Sequence, residues 1–124
     1  MLANRPIRLS IPARDLARAK QFYADKLGLT PSSESEFGLN YRSENSLFTI
    51  VLSESAGQAS YSLLTWIVDD IETMMSAMRT EGIEFEDYDL PFLKTVNGIA
   101  DFGQDKVAWF KDSEGNLLAI AQVE

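Results

Sequence analysis

Arg5 to Pro12 alternates apolar and polar residues, with Ile7, Leu9 and Ile11 on one side and Arg8 and Ser10 on the other, which predicts a half-buried strand. Asp15 then stands where a helix N-cap is expected, the apolar positions Leu16, Ala19, Tyr23 and Leu27 recur at helical spacing, and Gly28 supplies the stop. Three strands follow, around Thr30 to Glu34, Phe37 to Arg42 and Leu47 to Ser53, divided by polar turn residues such as Glu44-Asn45-Ser46. Small and polar residues from Ser55 to Ser60 read as a short linker. The same order then starts again. Tyr61 to Val68 reads as a strand, Asp69 or Asp70 as a cap, and Ile71, Met74, Met75 and Met78 as the apolar face of a helix that ends at Gly82. Ile83 to Glu86, Val107 to Phe110 and Leu117 to Val123 are further strands, with Asp112-Ser113-Glu114-Gly115 as a turn. The caps Asp15 and Asp70 lie 55 residues apart and the stop glycines 54 apart, so the chain reads as a tandem βαβββ duplication. Its modules are expected at 1–55 and 60–124 within a single domain, 1–124.

At 124 residues there is core for one domain or for two small units sharing one. No apolar run approaches the roughly 18 residues of a membrane span, and residues 1–8 carry no export-like segment, so the expectation is a cytoplasmic, soluble chain. The sequence contains 0 His and 0 Cys, which excludes disulfides, thiolate nucleophiles, imidazole bases and His-ligated metals. Any metal site would have to be built from oxygen ligands. Eleven Lys and Arg against 19 Asp and Glu give a net charge of −8, a field that argues against nucleic-acid binding. No contact with a membrane is expected either.

Several passages together resemble one family. Ile7-Arg8-Leu9-Ser10-Ile11-Pro12-Ala13-Arg14-Asp15-Leu16, with Phe22-Tyr23 and Leu27-Gly28-Leu29 after it, is similar to the opening of the vicinal oxygen chelate superfamily, which contains glyoxalase I, extradiol dioxygenases and the fosfomycin- and bleomycin-resistance proteins. Trp66-Ile67-Val68-Asp69-Asp70-Ile71 resembles the start of that family's second module, and Trp109-Phe110-Lys111-Asp112-Ser113-Glu114-Gly115-Asn116 its closing hairpin. The resemblance implies an α+β fold in which two tandem βαβββ modules form a curved mixed sheet around a cleft. It also implies four metal-ligand positions, one on the first and one on the last strand of each module. In this sequence they fall on Arg8, Thr49, Leu63 and Ala119. A guanidinium, a lone hydroxyl and two aliphatic side chains make no divalent-metal site.

Strand alternation gives a consistent picture. Leu9, Ile11, Phe48, Ile50, Leu64, Trp66, Val68, Leu118 and Ile120 form an apolar set suited to packing under helices. The opposite face, with Arg8, Ser10, Thr49, Val51, Leu63, Thr65, Ile67, Ala119 and Ala121, suits a cleft for an organic molecule. The candidate ligand-binding residues are therefore Arg8, Ser10, Thr49, Leu63, Thr65, Trp109 and Ala119, with neither catalytic residue, metal nor cofactor assigned. Arg8 suits a carboxylate, phosphate or phenolate, or stacks on a ring. Trp109, with Tyr41, Tyr61 and Phe92, offers flat surfaces, and Glu86 to Lys106 is long enough to act as a lid or dimer contact. The expected function is metal-free sequestration of a small organic molecule, aromatic ones among the candidates, by a homodimer that resembles the bleomycin-resistance proteins. The alternative is a lyase, isomerase or dioxygenase with an atypical site.

Overall fold

The computed structural model describes residues 1–123. The first half folds as β1 (Arg8–Ala13), α1 (Leu16–Leu27), β2 (Ser33–Glu34), β3 (Gly38–Ser43) and β4 (Ser46–Leu52). The second half follows as β5 (Thr65–Ile67), α2 (Ile71–Thr80), β6 (Asp89–Leu90), β7 (Leu93–Lys94), β8 (Ala100–Asp101), β9 (Lys106–Lys111) and β10 (Leu117–Gln122). Two four-stranded mixed sheets result, in the orders β1-β4-β3-β2 and β5-β10-β9-β8, both open, with the β6-β7 hairpin apart from them. In each sheet the module's first strand runs parallel to its last, β1 to β4 and β5 to β10. The duplication is thus a duplication of topology.

Local chemistry fixes the helices. Asp15 accepts a hydrogen bond from the Arg18 N–H and Asp70 one from the Thr73 N–H, so each satisfies an amide its helix leaves unpaired. Gly28 ends α1 at φ 71, a left-handed conformation that glycine adopts without a Cβ clash. Helix α1 packs on β3 and β4, and α2 on β9 and β10. Their apolar stripes and the inner faces of both sheets form one core that includes Ile11, Tyr23, Tyr41, Phe48, Ile50, Ile71, Met75, Phe110 and Leu118.

Several expectations need correction. The strand expected from Thr30 is regular only at Ser33–Glu34, and that expected from Tyr61 only at Thr65–Ile67, with further backbone bonds to the neighbouring strand on either side of each. Leu9, assigned to the core, is 47% exposed, because β1 enters its sheet before the helix layer covers it. Tyr41 packs in the core against Phe48, with ring centroids 4.9 Å apart, and offers no surface to a ligand. Met75 and Met78 are buried as expected, but Met74 is 40% exposed. The supposed linker is anchored, since Ala56 is fully buried and the Gly57 N–H donates to Asn116 Oδ1.

The turn after β9 carries more than a reversal. Asp112, Glu114 and Asn116 are buried polar residues that join the two halves. The Tyr23 hydroxyl of α1 donates to Asp112 Oδ2 at 2.8 Å, and Asn116 Nδ2 donates to the Pro12 carbonyl of β1 at 2.7 Å. Glu114 Oε1 accepts from the backbone N–H groups of Arg14 and Asp15 at 3.0 Å each, while Oε2 accepts from Arg18 Nε at 2.8 Å and Ser113 Oγ at 2.9 Å. Burial pushes the Glu114 carboxyl up, but these donors outweigh it and hold it down at about 2. Burial, only partly offset by the bonds from Tyr23 and Asn116, raises Asp112.

Candidate functional site

The face of the first sheet that turns away from α1 is set by register. Arg8 of β1, Leu47 of β4 and Arg42 of β3 lie in one row, Ser10, Thr49 and Asn40 in the next, and Pro12, Val51 and Gly38 in the third. Ser33 of β2 extends the middle row. That row is hydrogen-bonded sideways: Thr49 Oγ1 donates to Asn40 Oδ1 at 2.8 Å, and Asn40 Nδ2 donates to Ser33 Oγ at 3.0 Å. Arg8, Ser10 and Arg42 are exposed.

The corresponding face of the second sheet is apolar. Thr65, Ala119 and Trp109 form one row, and Ile67, Ala121 and Val107 the next. Ala119 and Ala121 on the central strand are too short to rise between their neighbours, so they floor a trough walled by Thr65 and Ile67 on one side and by Trp109 and Val107 on the other. Ala119 is fully buried at that floor. Tyr88 meets Trp109 edge-on, with ring centroids 5.6 Å apart and planes at 82°, which gives the trough an aromatic corner. Burial, with Glu86 nearby, raises the Tyr88 hydroxyl.

Leu63 N–H donates to the Leu117 carbonyl, just as Arg8 pairs with Leu47, so the pairs Arg8/Thr49 and Leu63/Ala119 occupy equivalent places in the two sheets. The register gathers Arg8, Ser10 and Thr49 on one face of the first sheet and Thr65, Trp109 and Ala119 on one face of the second, while Leu63, just before β5, also packs against the core. The two halves meet on the core side where Phe48 packs against Trp66 and Trp66 Nε1 donates to Ser43 Oγ. Among the described residues, no three Asp or Glu side chains cluster in a way that could hold a metal ion. No helix is long and apolar enough to cross a membrane.

The long segment after Glu86 is no simple loop. Phe85 bridges Phe110, Ala100 pairs with Val107, and between them the chain leaves β9 to form the β6-β7 hairpin. Asp87 Oδ1 accepts from Thr95 Oγ1 at 2.9 Å and from the Gly98 N–H at 3.0 Å, and Thr95 Oγ1 in turn accepts from the Tyr88 N–H at 2.8 Å. These bonds hold Tyr88 over Trp109. Thr95 is a hairpin latch, and Lys94 lies 4.0 Å from Asp89.

A cavity of about 590 Å³ lies elsewhere, in the groove between α1 and α2, where Trp66, Phe110, Met74, Met78 and Leu27 line it. Its size is that of a small-ligand site. None of the residues expected to bind a ligand borders it. Sequence reasoning passed over Arg42, whose signal is its register opposite Leu47, and Tyr88, whose partner is a strand away.

A family model, Glyoxalase/Bleomycin resistance protein/Dioxygenase superfamily, matches residues 5–120. Among solved structures, a glyoxalase family protein from Enterococcus faecalis superposes with a TM-score of 0.73 at 23% identity, over 98% of this chain and 100% of that one. TnmS3, an antibiotic binding protein from Streptomyces sp. CB03234, gives 0.67 at 18% identity, over 100% and 99%. Lactoylglutathione lyase from Agrobacterium tumefaciens gives 0.72 at 13% identity, over 98% and 96%. At these identities the likeness carries the fold. No curated protein matches the sequence.

Proposed function

The chain belongs to the Glyoxalase/Bleomycin resistance protein/Dioxygenase superfamily, and from that premise we propose that it binds and sequesters a small organic molecule without a metal. The observation that carries the reading is the donor set at the four equivalent positions of the two sheets. Arg8 and Thr49 on one and Leu63 and Ala119 on the other offer a single neutral oxygen among them, which does not fit a divalent cation. An antibiotic binding protein among the structural neighbours is consistent with such a role.

The same geometry supports reading the chain as a homodimer. Both β1 and β5 are edge strands with free backbone groups, and Ile7, Leu9 and Ile67 are exposed beside them. Unpaired apolar edges of this kind are normally covered. A second copy that sets its trough opposite the arginine-bearing face would complete a cleft with one polar and one apolar wall. Arg8, Ser10 and Thr49 would line the first wall, and Leu63, Thr65, Trp109 and Ala119 the second.

The chain's two tryptophans, Trp109 in the trough and Trp66 in the groove between the helices, allow a direct test. Titration with 1-naphthalenemethanol should quench tryptophan fluorescence, and Trp109→Phe should abolish the quenching while Trp66→Phe leaves it. The reverse pattern would move the site to the groove between the helices, and no binding would refute sequestration. Stoichiometric divalent metal in purified protein would overturn the metal-free reading. A concentration-independent monomer in the ultracentrifuge would overturn the shared cleft.

A further inference from the structure

The charge of the ligand is open in the reading above, because a −8 chain favours cations while Arg8 favours anions. The distribution of charge over the fold resolves the conflict. Arg8 and Arg42 sit in one row, each beside Leu47, on strands separated only by β4. Two strand spacings place their Cα atoms about 10 Å apart, a gap that two arginine side chains bridge easily. Of the other arginines, Arg14 is engaged with Glu54, Arg18 with Glu114, and Arg79 with the Asn97 carbonyl and the Phe85 ring, while Arg5 precedes β1 and lies outside the sheet. Among the described residues, Arg8 and Arg42 have neither an ion-pair partner nor a side-chain hydrogen bond. Although the chain carries 19 acidic residues, none lies in the three rows of that face. The acidic surplus is elsewhere, and this face holds two uncompensated positive charges.

We propose that Arg8 and Arg42 form a two-guanidinium clamp for the carboxylate of an aromatic acid, with the ring accepted by the Trp109–Tyr88 corner of the opposing wall. The proposal rests on the small-molecule reading and names the ligand class for it. Guanidinium forks match a carboxylate in shape and charge, and Leu47 between them is an apolar floor that lowers competition from water. The Ser10, Thr49 and Asn40 row beside the clamp supplies neutral polar groups and no competing negative charge. On the far wall the ring would lie against Trp109 and Tyr88, with Thr65 and Ile67 exposed beside them.

The test is a set of probes of like shape and different charge, 1-naphthoate, 1-naphthalenemethanol and 1-naphthylmethylamine, titrated by calorimetry against the whole protein. Naphthoate should bind most tightly, and raising salt should weaken it selectively. Arg42→Ala and Arg8→Ala should each weaken naphthoate by about ten-fold or more and leave the alcohol within about two-fold. Arg42→Lys should restore only part of the loss, because an ammonium keeps the charge without the fork. Both arginines are exposed, so these variants retain the fold, which circular dichroism checks. Binding of the alcohol or the amine in preference to naphthoate, or naphthoate binding unchanged in Arg42→Ala, refutes the clamp and leaves sequestration standing. Failure of all three probes refutes both.

Discussion

Glu114→Gln should destabilise the protein by about 2 kcal/mol at neutral pH. In the folded chain the Glu114 carboxyl is held at about 2 against an ordinary 4.5. That difference, at about 1.4 kcal/mol per pH unit, amounts to about 3 to 4 kcal/mol of preference for the charged form. Arg18, which supplies much of it, is half exposed and regains water when its partner is lost, so the effect is discounted to about 2 kcal/mol. Glutamine has nearly the same shape, and its Oε1 can keep the bonds from the Arg14 and Asp15 N–H groups. Its Nε2, however, would face Arg18 Nε and Ser113 Oγ, which now donate to an oxygen. The assay is urea unfolding at fixed protein concentration, since a dimer's stability depends on it. A drop of about 2 kcal/mol should accompany a fall in Tm of roughly 7 °C. The pH dependence provides the sharper check. Because the folded pKa is depressed, the contribution is complete above pH 4.5 and is lost as pH falls toward 2. The gap between wild type and Glu114→Gln should therefore shrink to under half its neutral value by about pH 3. A gap under about 0.5 kcal/mol at pH 7, or one equally wide at pH 3, would refute this account of the junction.

Two further outcomes are expected. Among the described residues the buried Tyr41 hydroxyl has no hydrogen-bond partner, and burial, with a smaller contribution from Glu34, pushes its pKa up to about 12. Removing it in Tyr41→Phe should leave stability unchanged or raise it by up to about 1 kcal/mol, and a loss above that in urea unfolding would reveal a partner for the hydroxyl. Thr95→Val keeps the side-chain volume but removes the hydroxyl that bonds Asp87 and the Tyr88 N–H. Hydrogen exchange should then rise between residues 88 and 99 and stay unchanged in the two sheets. Exchange that rises everywhere would make Thr95 part of the global core.

What could be read from the sequence divides by the distance over which the cause acts. Asp15, Asp70 and Gly28 announce the helices because a cap and a left-handed stop are decided within a few residues. The repeat order and the inward set Ile11, Phe48, Ile50, Leu118 and Ile120 follow from two short periods and are buried as expected. Asp112, Glu114 and Asn116 read only as a turn, since their partners Tyr23, Arg18 and Pro12 lie about a hundred residues away and no local pattern points to them. Arg42 has the same difficulty. Its pairing with Arg8 exists only once β1 and β3 have both docked on β4. The stretch from Glu86 hides a strand because the hairpin interrupts it, so neither half is long enough to show alternation.

That interruption bears on how the protein can vary. Phe85 and Ala100 are fastened to Phe110 and Val107, only a few rungs apart on one strand. The sheet itself therefore holds the ends of the excursion together. Lengthening or shortening it changes closure entropy only logarithmically, by about 0.6 kcal/mol per doubling. The segment that carries Tyr88 is thus the place where this chain can exchange one recognition element for another at little thermodynamic risk to the fold beneath it.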